Sequence, residues 1–168
     1  MKASTLFPDR VKKLILFEPN PFYLLEQSGR HEAYLEVARL CDCIKRAGAT
    51  DDWHHAAAEF AEYWNGAGSW GAMSDDRKDN FAKALRPNFH EWDAVMRQDL
   101  SLEDWRSGLP PETTIISAAD TVRSIRETVE LLSSISPGWM FETLAAGGHM
   151  APLTHPHLVN PVFAQALG

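Results

Sequence analysis

The run ETTIISAADTVRSIRETVELLSSISPGWMFETLAAGGHM, residues 112–150, constrains the fold more than any other part of the chain. Its hydrophobic period changes twice. TTIISA is a continuous apolar run of the kind that strands show when both faces are buried. In TVRSIRETVELL the spacing becomes helical, with Val122, Ile125, Val129 and Leu132 along one side. After the turn SPG, WMFETLAA reads as strand again. Strand, helix and strand over this length make a βαβ unit, whose strands are parallel and whose crossover is right-handed. Another parallel strand is expected in KKLILFEP, where Leu14 to Phe17 are all apolar and Pro19 ends the run. The last residues, HLVNPVFAQALG, read as a terminal helix that Pro161 starts, kinks or interrupts.

Between these pieces, residues 21–110 read as helical throughout. HEAYLEVARLCDCIKRAG places Tyr34, Leu35, Ala38, Cys41 and Ile44 on one side, and Gly48 is expected to stop that helix. DDWHHAAAEFAEYWNGAG has an acidic start and sets Trp53, Ala57, Phe60 and Trp64 on one face. A break is expected near Pro87, and SLED at 101–104 fits a capping box. Four of the six tryptophans lie between 53 and 92, so this layer packs on a core or lines a pocket. The expected division is therefore a core made of 1–20 and 111–168, interrupted by a helical insertion at 21–110.

Charge and composition narrow the function. The net charge is −7 without a basic face, which argues against nucleic acid and anionic membranes as partners. No apolar run approaches the ~20 residues of a membrane span. The N-terminal MKASTLFPDR lacks the apolar stretch of a signal peptide. A cytoplasmic protein is the expectation. The two cysteines, Cys41 and Cys43, are too few for a zinc site. His149, His155 and His157 could together approach a metal, but their spacing matches no zinc signature, and neither metal nor cofactor is expected.

The chemistry concentrates in GGHMAPLTHP. Two glycines present His149 directly after a strand, a common setting for a general base. Strand, SAAD, helix, strand, GGHM and helix resemble the C-terminal end of the α/β-hydrolase superfamily. FPDRVKKLILFEPNP resembles the superfamily's strand after the nucleophile helix, and the helical insertion matches the cap, or lid, over the active site there. The resemblance implies an incomplete α/β-hydrolase fold with about three parallel strands and a helical cap insertion. It further implies that His149 is the triad histidine and Asp120 the triad acid. Glu18, at the end of LILFEP, is the alternative acid, since some members carry the acid one strand earlier. Trp64, Trp70 and Trp92 are the candidates for lining a substrate pocket.

The superfamily's G-x-S-x-G elbow and oxyanion hole are expected upstream of FPDRV and are not found in these residues. AGSWG, residues 67–71, imitates an elbow around Ser69, but it follows a helix and lies inside the insertion, so an interhelical turn is expected. The resemblance therefore implies the C-terminal part, truncated or split, of a serine-type hydrolase for a small ester-like or other acyl substrate, inactive alone. A non-catalytic binding or interaction protein built from hydrolase parts is the alternative. Either way, strand residues 12–17 would present an open edge. That edge would serve a homodimer or a complementary N-terminal fragment.

Overall fold

The computed structural model describes residues 1–168. In chain order it contains helix α1 (Lys2–Leu6) and strand β1 (Lys13–Phe17), then five helices: α2 (Tyr23–Gln27), α3 (His31–Thr50), α4 (Trp53–Asn65), α5 (Asp75–Leu85) and α6 (Asn88–Met96). There follow α7 (Leu102–Gly108), β2 (Glu112–Ala118), α8 (Arg123–Ile135), β3 (Met140–Leu144), α9 (Ala151–Thr154) and α10 (Pro156–Leu167). The chain divides into two compact units, one of residues 1–20 and 99–168, the other of residues 21–98. No helix is long and apolar enough to cross a membrane.

The first unit is a mixed α/β domain around an open parallel sheet of three strands, in the order β1-β2-β3. The central position of β2 explains its sequence: Thr113, Thr114, Ile115, Ile116 and Ala118 are all buried. The hydroxyl of Thr113 is accommodated by donating to the Pro110 carbonyl at 2.6 Å. One face of the sheet, with Ile116, Ala118 and Leu144, packs with Val159 of α10 and Ala151 of α9. Ile15, Phe17, Val162 and Phe163 close around that cluster. Burying each large aliphatic side chain there is worth roughly 1.5–3 kcal/mol. Pro161 lies inside α10 without ending it.

Residues 99–110 belong with the sheet, although their sequence reads as the end of the helical insertion. α7 starts with the expected capping box, Ser101 and Asp104 bonding each other's backbone. It then packs against α8 and α1. A Cβ at Gly108 would come within 2.8 Å of Thr5 Cγ2, so glycine permits that close approach of α1.

In the helical unit, α3 differs from its expected form in two ways. The buried stripe is Ala33, Val37, Leu40, Ile44 and Ala47, while Leu35 is 50% exposed. Both stripes keep helical spacing and share Ile44, so periodicity alone did not choose between them. The helix also runs through Gly48 to Thr50 and ends at Asp51, whose φ is 60°. Gly48 serves packing, since a Cβ there would lie 2.3 Å from the Phe89 ring. The break at Pro87 falls between α5 and α6 as the sequence suggests.

Candidate active site

Glu18, Asp120 and His149 each follow one of the three parallel strands, so all three stand at the carboxyl edge of the sheet. That edge is where open α/β sheets bind ligands.

Glu18 begins where β1 stops. Its N–H donates to the Ile116 carbonyl at 2.8 Å, the last backbone rung between β1 and β2. Its φ is then 44°, a left-handed value rare for a residue with a side chain and rarer still before proline. Such a conformation turns the chain away from the sheet and persists only when surrounding contacts hold it. The next β1-facing donor on β2 is the Ala118 N–H, and the Glu18 carboxylate takes it through Oε1 at 2.9 Å. The side chain thus completes the ladder that the backbone abandons. Its other oxygen, Oε2, lies 2.9 Å from His149 Nδ1. The Glu18 side chain is fully buried and that of His149 is 27% exposed. A buried carboxylate is tolerable when both its oxygens are bonded, as here.

The carboxylate bonded to His149 is thus that of Glu18, the alternative named from the sequence, and not that of Asp120. Asp120 uses its two oxygens on the backbone of the histidine loop instead. Oδ2 accepts from the Gly147 N–H at 3.1 Å and Oδ1 from the Gly148 N–H at 2.9 Å. These bonds, Gly148 first and Gly147 second, hold the Asp120 carboxyl below the usual carboxylate range. Gly147 and Gly148 have φ of 113° and 53°, which explains the glycine pair.

The tautomer follows from the donors. A carboxylate oxygen accepts, so with Glu18 as the acceptor the proton of this bond lies on Nδ1. The lone pair is then on Nε2, the arrangement of a general base held by a carboxylate.

Trp92 is buried and stacks on Phe22 with centroids 6.1 Å apart. Trp64 is buried beside Phe60 and Tyr63, and Trp70 is half-buried beside Phe81 and His54. A groove of about 580 Å³ on this helical unit has Arg39, Cys43, Arg46, His55 and Glu59 in its lining, and none of these three tryptophans. Ser69 sits in the turn between α4 and α5, whose Trp70 N–H is bound by Glu62 Oε1 at 2.9 Å. Its setting is the interhelical turn that the sequence suggests. His54 faces Asp79 of α5 at 3.2 Å. His155 bonds the Thr154 hydroxyl at 2.8 Å, and no group of three His, Cys, Asp or Glu side chains is placed to hold a metal ion. Both cysteines are free, and burial pushes both thiols up.

The role of Asp120 was missed in the sequence, although a signal for it exists. A Gly-Gly pair in a loop offers two adjacent N–H groups with no side chain of their own to cover them. An acid at the end of the neighbouring strand is the natural acceptor. The chain matches no protein-family model and no curated protein.

Proposed function

We propose that this chain carries the acid–base part of a serine-type α/β hydrolase acting on a small ester-like or other acyl substrate. His149 is the general base through Nε2, and Glu18 orients it and stabilises the imidazolium that forms. The nucleophile and the oxyanion donors come from residues outside these 168. The observation that carries this reading is the Glu18–His149 pair, a fully buried carboxylate against an imidazole that is 27% exposed, at the carboxyl edge of a parallel sheet.

The topology supports it as well. α8 makes the crossover from β2 to β3, and it packs with α7, which packs with α1. A strand entering α1 and crossing with the same right-handedness would arrive at the open side of β1. There it would present its carboxyl end next to Glu18 and His149. Acyl transfer requires such a nucleophile within reach of Nε2.

The test is to extend the reading frame upstream and express the longer chain. It should contain a strand, a G-x-S-x-G turn and a helix before residue 1. It should hydrolyse aryl esters and be labelled at that serine by a phosphonate. His149→Ala and Glu18→Ala should each lower kcat by at least about a hundredfold. The 168-residue chain should do neither. Stoichiometric labelling of Ser69 in the short chain would overturn this assignment of the nucleophile. A longer chain with no elbow would instead favour a non-catalytic interaction protein, for which the open side of β1 and the exposed Leu6 and Phe7 would be the natural surface.

A further inference from the structure

We propose that Asp120 is the positioning residue of this site. It clamps the backbone of the loop that carries His149 and so holds Nδ1 on Glu18. The proposal rests on the reading of Glu18 and His149 as the acid–base pair, and gives Asp120 a role distinct from that of the triad acid.

His149 sits in a loop between β3 and the four-residue helix α9, with no regular element to fix it on the strand side. Loops of this kind open with small free energies unless something ties them down. The two residues before His149, Gly147 and Gly148, are tied through their N–H groups, and both converge on one carboxylate. Hydrogen bonds to a charged acceptor are about twice as strong as neutral ones. The geometry is also exacting. A Cβ at Gly147 would lie 2.7 Å from Ala151 Cβ and 3.0 Å from His155 Nδ1. The loop is thus packed against α9 on one side and bonded to Asp120 on the other. Asp120 itself is anchored, because the Ala119 N–H beside it donates to the Leu144 carbonyl at 2.9 Å in the β2–β3 ladder. Strand β2 therefore fixes Asp120, Asp120 fixes Gly147 and Gly148, and the loop aims His149 at a carboxylate that strand β1 has fixed.

A carboxylate serves here better than an amide. Two N–H donors face one group, and an asparagine would meet one with its oxygen and the other with an NH2. Asp120→Asn should weaken the clamp, and Asp120→Ala should remove it.

The experiment is NMR on the 168-residue chain, labelled with 15N, as wild type, Asp120→Asn, Asp120→Ala and Glu18→Gln. Ring nitrogen shifts report the tautomer of His149, and the amides of Gly147 and Gly148 report the clamp. The wild type should hold the Nδ1–H tautomer. In Asp120→Ala the ratio of Nδ1–H to Nε2–H should fall about tenfold or more. Asp120→Asn should fall between, and both glycine amides should move upfield. The Ala119 amide, bonded within the sheet, should stay in place and show that the fold is intact. An unchanged tautomer ratio in Asp120→Ala, with the glycine amides shifted, would overturn the positioning role and leave the Glu18–His149 pair standing. A wild type without the Nδ1–H tautomer would overturn the pair, and the positioning role with it. Loss of the tautomer preference in Glu18→Gln with the glycine amides unmoved is the expected control.

Discussion

Glu18 and His149 are 131 residues apart in sequence and meet at 2.9 Å, joining the end of the first strand to the loop after the last. The contact crosses the sheet above β2, whose Ala118 N–H binds the other oxygen of the same carboxylate. One buried side chain thus ties three strand ends together. Glu18→Gln should break this arrangement although it preserves the shape. The glutamine oxygen can take the Ala118 N–H, but its NH2 then faces Nδ1 and forces the imidazole to accept there. A bond to a carboxylate is thereby replaced by a neutral one about half as strong, a loss of about 1 kcal/mol. Urea unfolding should show a lower midpoint at an unchanged m value. A midpoint equal to that of the wild type would mean that the bond contributes nothing to folding.

The clamp on the histidine loop makes stability depend on pH in a stated direction. The Asp120 carboxyl is held below its ordinary value by the N–H groups of Gly148 and Gly147. A carboxyl depressed by folding stabilises the native state fully above its unfolded value of about 3.9. Below that, the unfolded chain takes up the proton first, and the contribution is lost as pH falls through the folded value. The difference in urea midpoint between wild type and Asp120→Asn should therefore be constant above about pH 5 and should shrink below about 3.9. Carboxyls common to both proteins cancel in that difference. A gap that stays constant into the acid range would remove Asp120 from the clamp.

Gly48→Ala sets two effects against each other. Glycine within a helix costs about 1 kcal/mol relative to alanine, so propensity alone makes the change stabilising. The new methyl, however, would lie 2.3 Å from the Phe89 ring. That ring is held by Lys45, whose ammonium lies 4.4 Å from its centroid and bonds the Phe89 carbonyl and Asp93. Overpacking of this kind costs typically 1–3 kcal/mol. The steric term should win, and thermal unfolding should show a lower Tm for Gly48→Ala. An increase would show that Phe89 moves aside freely.

How far the sequence revealed this molecule depended on whether a residue's role was local. The alternation of strand and helix over 112–150 reflects burial along each element, and the three parallel strands follow it. The capping box at Ser101 and the break at Pro87 are equally local. The misread features are all tertiary. Gly48 looked like a stop because its packing partner, Phe89, is 41 positions away. The stripe of α3 could not be chosen without its neighbours. Residues 99–110 looked like more of the insertion because a capped helix does not announce what it packs on. At the site, Glu18 and Asp120 each end a strand and each fits an acid role by spacing. What separates them is Glu18's φ of 44°, which turns its carboxylate inward across β2.

The open side of β1 leads to the last prediction. β1 is a terminal strand, paired only with β2, and Leu14, Ile15, Leu16 and Phe17 are all only partly buried. In a parallel ladder the backbone groups of successive residues face opposite sides. The Glu18 N–H faces β2, where it meets the Ile116 carbonyl. By alternation the N–H groups of Leu14 and Leu16 also face β2, and those of Ile15 and Phe17 face the open side. An apolar edge with unpaired donors is a template for another strand. The 168-residue chain should therefore self-associate at high micromolar concentration, and sedimentation should show a species heavier than the monomer. Hydrogen exchange identifies the surface. In the monomer the Ile15 and Phe17 amides should exchange fast while those of Leu14 and Leu16 are protected. As concentration rises, Ile15 and Phe17 should gain protection and their neighbours should not change. Protection of Ile15 and Phe17 in a dilute monomer would show that the edge is already covered within the chain. Association without a change at these two amides would place the contact on another surface.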